Sequence, residues 1–131
     1  MNVAMNVAID TNRYVDFARG DREMADLLEH APQIHMPLMV LAELRAGFAV
    51  GSRGAHNEGG LRRFLLRDGV SVLVPDEDTT HHYASVFRQL RQQGTPIPTN
   101  DMWIAALVLQ HGLVLCSRDA HFTHLPQIPR A

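Results

Sequence analysis

Short apolar runs alternate with longer segments of helical periodicity along almost the whole chain. Four of these runs have the length and composition of buried strands, and they lie at residues 7–9, 34–36, 70–74 and 113–116. Each run is followed by one or two segments that repeat apolar residues every three or four positions, except the last. The alternation predicts an α/β fold in three layers, with a central parallel sheet of four to five short strands and helices on both faces.

The segments between these runs indicate where the helices lie. Five stretches within these segments repeat apolar residues at helical spacing, and they lie at residues 14–18, 24–31, 41–48, 83–90 and 102–109. Pro37 is expected to open the third helix, and Gly94 and Gly112 are expected to end the last two. The last helix is apolar almost all round, which is typical of a helix in the centre of a fold.

Residues 51–60 (GSRGAHNEGG) are polar and rich in glycine. We expect a mobile loop there, followed by a short helix that begins near Leu61. The segment is not a phosphate-binding P-loop, because Gly60 and Leu61 stand where that motif needs its lysine and hydroxyl.

Length and cysteine content limit the class of protein. A chain of 131 residues with 46% hydrophobic content fits one domain, 1–131, and because the first four residues are repeated at once, we expect the fold to begin near residue 6. Cys116 is the single cysteine, which excludes an intramolecular disulfide and favours a reducing cytoplasm. No window reaches the roughly 18 apolar residues of a membrane span, so we expect no membrane contact.

The charge pattern does not by itself indicate a partner or a zinc site. The formal net charge is −2, and all 12 basic residues are arginines. Neutral balance does not exclude RNA, because charge can be arranged locally. The eight histidines are scattered, and His81 and His82 are adjacent rather than separated by a helical turn, so we expect no zinc site.

Two of four candidate acidic residues fall where a parallel sheet places its functional site, and the other two lie on helices. Asp10 directly follows the first predicted strand and Asp119 lies three residues after the fourth, so both are expected at the carboxyl edge. Asp101 opens the apolar helix, and Glu43 lies on the third helix away from its apolar side. Taken singly, Asp10 and Asp101 could be helix N-caps. Glu43 could be a solvated helix residue, and Asp119 a turn or cap residue. Periodicity alone does not bring the four together.

Four segments together resemble, in order and spacing, the motifs of PIN-domain ribonucleases and especially of the VapC-type toxins in toxin-antitoxin pairs. The segments are IDTN at 9–12, LAELRAG at 41–47, PIPTNDMWIAAL at 96–107 and SRDAHF at 117–122. The third is the most specific, since an acid that opens an apolar W-I-A-A helix is an uncommon combination. The resemblance implies a PIN-like fold and divalent-metal-dependent endoribonuclease activity.

The resemblance also assigns roles to residues of this chain. It implies a catalytic set of four acids, Asp10, Glu43, Asp101 and Asp119. The three aspartates are implied as ligands of Mg²⁺ or Mn²⁺, with Asn12 and Ser117 orienting them. Crowded carboxylates repel one another, and these cations prefer oxygen ligands, lower the pKa of a bound water and stabilise charge on a phosphate.

Two positions depart from the family pattern. Arg13 stands where relatives usually carry an apolar residue, and it could contact a substrate phosphate or lie exposed. Thr99 stands where many relatives carry a further acid. The second departure leaves fewer carboxylates for a second ion, so we expect at least one.

The resemblance further implies partners. The first is an RNA substrate, namely structured RNA such as transfer or ribosomal RNA. The second is a VapB-type antitoxin, an arginine of which could bind the carboxylates with two hydrogen bonds. A toxin homodimer within a larger complex is also implied.

Two alternatives remain at this point. Asp10 could be the nucleophile of a phosphoryl-transfer enzyme, although Asn12 stands where the phosphatases carry an acid and the chain has no lysine for the phosphate. The chain could also be a PIN-like module that only binds a partner, and that alternative requires metal binding to fail.

Overall fold

Four parallel strands form the single sheet of the computed structural model, which describes residues 5–131; the repeated residues 1–4 lie outside the described part. The strands are β1 (Val7–Ile9), β2 (Ile34–Pro37), β3 (Val70–Leu73) and β4 (Val114–Cys116). Their order across the sheet is β3-β2-β1-β4, and every neighbouring pair is parallel. The predicted parallel sheet is confirmed, with four strands in the described residues.

Six helices and one short 3-10 helix connect and follow the strands. They are α1 (Thr11–Ala18), α2 (Arg22–His30), α3 (Leu38–Val50), α4 (Gly54–Leu65), α5 (Glu77–Gln93), α6 (Thr99–His111) and the 3-10 helix Ala120–His124. Gly94 and Gly112 end α5 and α6 in the left-handed conformation, as the sequence predicts. No helix within residues 5–131 has both the length and the apolar content needed to cross a membrane.

The centre of the core is β1 together with α6. All three residues of β1 are buried, which requires helices on both faces of the sheet. Seven residues of α6 are also buried, in agreement with its apolar sequence. Because β1 has β2 on one side and β4 on the other, it is a central strand of the sheet.

The expectation of a loop over residues 51–60 is wrong, because α4 already begins at Gly54. Two kinds of contact stabilise the polar half of this helix despite its glycines. The Glu58 carboxylate accepts a hydrogen bond of 2.9 Å from the Arg45 guanidinium of α3, and Leu61 and Phe64 are buried in the core. Tertiary packing therefore outweighs the low helix propensity of the segment.

Replacing Gly60 by alanine should raise the free energy of unfolding by about 0.5–1 kcal/mol, because a helical glycine loses more conformational entropy on folding than alanine does. An added Cβ would meet no atom closer than the Arg63 Nη2, at 3.8 Å. Urea denaturation of the wild type and the variant measures the difference.

Gly54→Ala is the matched control in the same helix. Its Cβ would lie 2.7 Å from the backbone oxygen of Phe48, so this variant should be less stable than the wild type. Destabilisation by Gly60→Ala as well would contradict the helical assignment of this segment.

Candidate active site

The carboxyl ends of β1 and β4 lie side by side and bring distant parts of the chain together. Ile9 is in register with Cys116, and the Asp10 amide donates a hydrogen bond of 3.0 Å to the Cys116 carbonyl. Asp10 therefore lies directly beside the segment that carries Asp119. This pairing places the first and last predicted acids at the same edge of the sheet, as in other parallel sheets.

Asp10 is buried, and hydrogen-bond donors rather than cations satisfy its carboxylate. Its Oδ1 accepts from the Thr11 amide at 2.8 Å, and its Oδ2 accepts from the Ser117 hydroxyl at 2.6 Å. Burial raises the pKa of Asp10 above its usual range, and the charges of Glu43 and Asp119 act in the same direction. Asp10 is also the N-cap of α1, so its capping and site interpretations are compatible.

Asp101 and Asp119 approach each other around a single imidazole. His121 Nδ1 lies 2.8 Å from Asp101 Oδ2 and 2.9 Å from Asp119 Oδ1. One possible ligand atom from each of the three residues lies within 4.8 Å of the others. Burial raises the pKa of Asp101 to about 6, the hydrogen bond from His121 opposes this shift, and the charges of Asp119 and Asp10 add to it.

Glu43 enters from α3, and its carboxylate is held at both oxygens. Its Oε2 accepts from the Thr11 hydroxyl at 2.8 Å, and its Oε1 accepts from the Asn100 amide at 2.9 Å. Thr11 and Asn100 are chain neighbours of Asp10 and Asp101, so these bonds attach Glu43 to the other acids. The four acids thus gather in one region, although Glu43 is not within the tight group of Asp101, Asp119 and His121.

The two residues implied to orient the acids differ in their contacts. The Ser117 hydroxyl donates to Asp10 and accepts from the Asp119 amide at 3.0 Å, so it links two of the acids directly. The Asn12 side chain instead accepts a hydrogen bond of 3.3 Å from the Arg118 amide. Within the described part of the chain, Asn12 therefore contacts the loop after β4 and no carboxylate.

The alternative in which Arg13 lies exposed is wrong. The residue is only 8% exposed, and its guanidinium pairs with Asp16 at 2.9 Å and with Glu23 at 3.5 Å. Asp16 also accepts two hydrogen bonds from Arg118, at 2.8 and 3.0 Å. Through the shared Asp16, Arg13 helps attach α1 to the loop after β4, and its contact with a substrate phosphate stays a prediction.

Three residues of the site escaped the sequence analysis. Thr11 and Asn100 lie inside two of the motifs, each next to an acid, with no chemical feature that separates them from ordinary helix residues. His121 lies within the SRDAHF motif, but a search for histidines at metal-ligand spacing could not find it, because its partner Asp101 is 20 residues away in the chain. Only the fold brings this imidazole and carboxylate together.

The donor set fits a divalent cation of the Mg²⁺ or Mn²⁺ kind. Within residues 5–131, no arginine forms an ion pair with any of the four acids, and His121 is their only potentially cationic partner. Buried carboxylates without a counter-charge are unfavourable, as the raised pKa values of Asp10 and Asp101 indicate. Carboxylate oxygens are the ligands that these ions prefer.

Comparison with known proteins gives several relatives that are named ribonucleases. The chain is 38% identical over 85 residues to Ribonuclease VapC1 of Haemophilus influenzae, and this alignment covers 64% of the chain and 61% of that relative's length. It is 28% identical over 91 residues to Ribonuclease VapC4 of Mycobacterium tuberculosis, with 70% of each covered.

Solved structures agree with the fold. The crystal structure of VapBC2 from Rickettsia felis, bound to a promoter DNA fragment, matches with a TM-score of 0.86 at 23% identity, covering 97% of this chain and 98% of the other. VapBC-1 from Haemophilus influenzae matches with a TM-score of 0.83 at 24% identity, covering 97% of both. The family model described as the PIN domain matches residues 7–128, and the chain therefore belongs to the PIN-domain family.

Proposed function

We propose that this protein is a metal-dependent endoribonuclease of the VapC kind, acting as a toxin that a cognate antitoxin neutralises. The observation that carries the proposal is the meeting of four acids from four separate segments near the carboxyl ends of β1 and β4, where no arginine of the described residues forms an ion pair with them. The names of the relatives, Ribonuclease VapC1 and Ribonuclease VapC4, support the same activity.

The proposed ligands are Asp10, Asp101 and Asp119, and the proposed ion is Mg²⁺ or Mn²⁺. Such an ion, when bound, lowers the pKa of water and stabilises negative charge on the scissile phosphate. The Ser117 hydroxyl donates to the Asp10 carboxylate and accepts from the Asp119 amide, so it ties the side chain of Asp10 to the backbone at Asp119.

Glu43 is the proposed general base. The hydrogen bonds from Thr11 and Asn100 occupy one lone pair on each of its oxygens and restrict its rotamer. Each oxygen keeps a second lone pair, so the carboxylate can accept a hydrogen bond from the attacking water and then its proton. Thr11 and Asn100 are therefore positioning residues for this step.

The proposed inhibitory partner is a VapB-type antitoxin. Several carboxylates without an arginine form a site that a partner's guanidinium can bind with two hydrogen bonds while displacing the ion. The solved relatives named above are VapBC assemblies, which supports a partner of this class. We also propose that the toxin forms a homodimer within such an assembly.

Millimolar Mn²⁺ or Mg²⁺ should raise the melting temperature of the metal-free protein by several degrees. An ion at about 100 times its Kd adds about 2.7 kcal/mol to the free energy of unfolding, because it binds only the folded state. Asp101→Asn should remove most of this increase, whereas Asp26→Asn, which changes an exposed acid on α2, should keep it. Scanning calorimetry of the three proteins measures the effect.

The increase should also depend on pH. Asp101 must lose its proton to bind an ion, and with a pKa of about 6 it is increasingly protonated below that value, so the ion's effect should shrink between about pH 7 and pH 5. In the metal-free protein the raised pKa of Asp101 makes the free energy of unfolding increase, rather than decrease, as the pH falls. Between about pH 6 and pH 3.8 the Asp101 carboxyl binds its proton in the folded state but not in the unfolded state. Protonation of this group therefore stabilises the folded state as the pH falls through that range.

Asp10→Asn and Asp101→Asn should each lower RNA cleavage by at least about a hundredfold while the purified variants stay folded. An asparagine oxygen can accept the bond that Thr11 or His121 donates, so the local structure tolerates the loss of charge. Gel analysis of transfer and ribosomal RNA after incubation with Mn²⁺ measures cleavage, with Asp26→Asn as the control. Near-native cleavage by either variant would exclude the role proposed for that acid.

Expression of the protein alone should arrest growth of a bacterial host, because an unrestrained ribonuclease destroys RNA that the cell needs. Co-expression with the small protein encoded beside it should restore growth, and the two should purify together. Growth curves and affinity purification measure these outcomes, and Asp101→Asn should be harmless in the same host. The absence of both arrest and a co-purifying partner would leave the nuclease assignment and remove the toxin assignment.

A further inference from the structure

His121 lies between two of the acids at the place where a cation would bind. Its Nδ1 is 2.8 Å from Asp101 Oδ2 and 2.9 Å from Asp119 Oδ1, yet a single N–H can donate a good hydrogen bond to only one of them. The two carboxylates thus converge on one nitrogen.

The two distances from His121 Nδ1 are compatible with those between neighbouring ligands of one ion. Two ligands at about 2.1 Å from an octahedral ion, at right angles to each other, are about 3.0 Å apart. The two nitrogen–oxygen distances of 2.8 and 2.9 Å are close to this value, and all three ligand atoms lie within 4.8 Å. One ion could therefore bind all three side chains.

The second ring nitrogen of His121 allows Nδ1 to act as a ligand. Within the described residues Nε2 makes no hydrogen bond, and the side chain is 45% exposed. In the neutral imidazole the proton can therefore reside on Nε2, facing water, which leaves the Nδ1 lone pair for an ion. The backbone also fixes the ring's position, because the His121 amide donates to Asp119 Oδ1 at 2.9 Å.

We propose that His121 is a nitrogen ligand of the ion, alongside Asp101 and Asp119, and that it biases the site toward first-row transition ions such as Mn²⁺ and away from Mg²⁺. The inference rests on the proposed metal-dependent function. Mg²⁺ takes oxygen ligands in proteins, whereas an imidazole nitrogen is a good ligand for transition ions. A site with carboxylates alone would discriminate less between the two.

Calorimetric titration of the metal-stripped full-length protein with Mn²⁺ alone and with Mg²⁺ alone, at about pH 8, tests this inference. His121→Asn should weaken Mn²⁺ binding by at least about tenfold, since even residues that only support a ligand typically contribute that much. It should weaken Mg²⁺ binding less, so the ratio of the two affinities falls. His124→Asn, which changes an exposed histidine of the same 3-10 helix, should leave both affinities unchanged.

Pulsed electron paramagnetic resonance of bound Mn²⁺ gives a readout independent of affinity and activity. A ¹⁴N coupling should be present in the wild type and in His124→Asn and absent in His121→Asn. Circular dichroism checks that each variant is folded, and His121→Gln replaces the asparagine variant if that one is not.

The outcomes separate this inference from the proposed function. If the wild type binds Mn²⁺ and cleaves RNA but lacks the nitrogen coupling, or if the affinity ratio is unchanged in His121→Asn, the imidazole is only a hydrogen-bond donor and the inference is wrong. If the wild type binds neither ion, both the inference and the metal-dependent function are wrong.

Discussion

The parallel pairing of β1 with β4 is the constraint on which the site depends. It joins segments more than 100 residues apart, and the Ser117 hydroxyl continues the connection by binding Asp10 at a separation of 107 residues. The pairing is stabilised by the burial of β1 on both faces, so the same apolar contacts that form the core also determine where two of the acids lie. Core packing and site geometry are therefore not independent in this fold.

The site itself opposes folding. Two carboxylates about 5 Å apart repel by about 3 kcal/mol at an effective dielectric near 20, and burial adds a desolvation cost that is visible in the raised pKa values of Asp10 and Asp101. Neutral donors offset part of this cost. Thr11, Ser117 and Asn100 donate hydrogen bonds to the acids without removing their charge, which leaves the carboxylates able to bind a cation.

The arginines of this region act on the scaffold rather than on the acids of the site. Arg13 and Arg118 both bind Asp16, which attaches α1 to the loop that carries Asp119. Because these guanidiniums pair with Asp16, no arginine of residues 5–131 neutralises the carboxylates of the site, and His121 is their only potentially cationic partner. The arrangement keeps the arginines of this region away from the place where an ion or a partner's arginine would bind.

The sequence by itself determined the strands and most of the helices, because apolar periodicity is a local property. The four acids were predicted from the resemblance of their segments to PIN-domain motifs. The one wrong element, the loop at 51–60, failed because the contacts of Leu61, Phe64 and Glu58 with the rest of the fold stabilise a helix that glycine disfavours. Tertiary structure alone decided which side chains meet. The approach of His121 to Asp101 and of Asn100 to Glu43, and the burial of Arg13, arise from contacts between elements that no local pattern encodes.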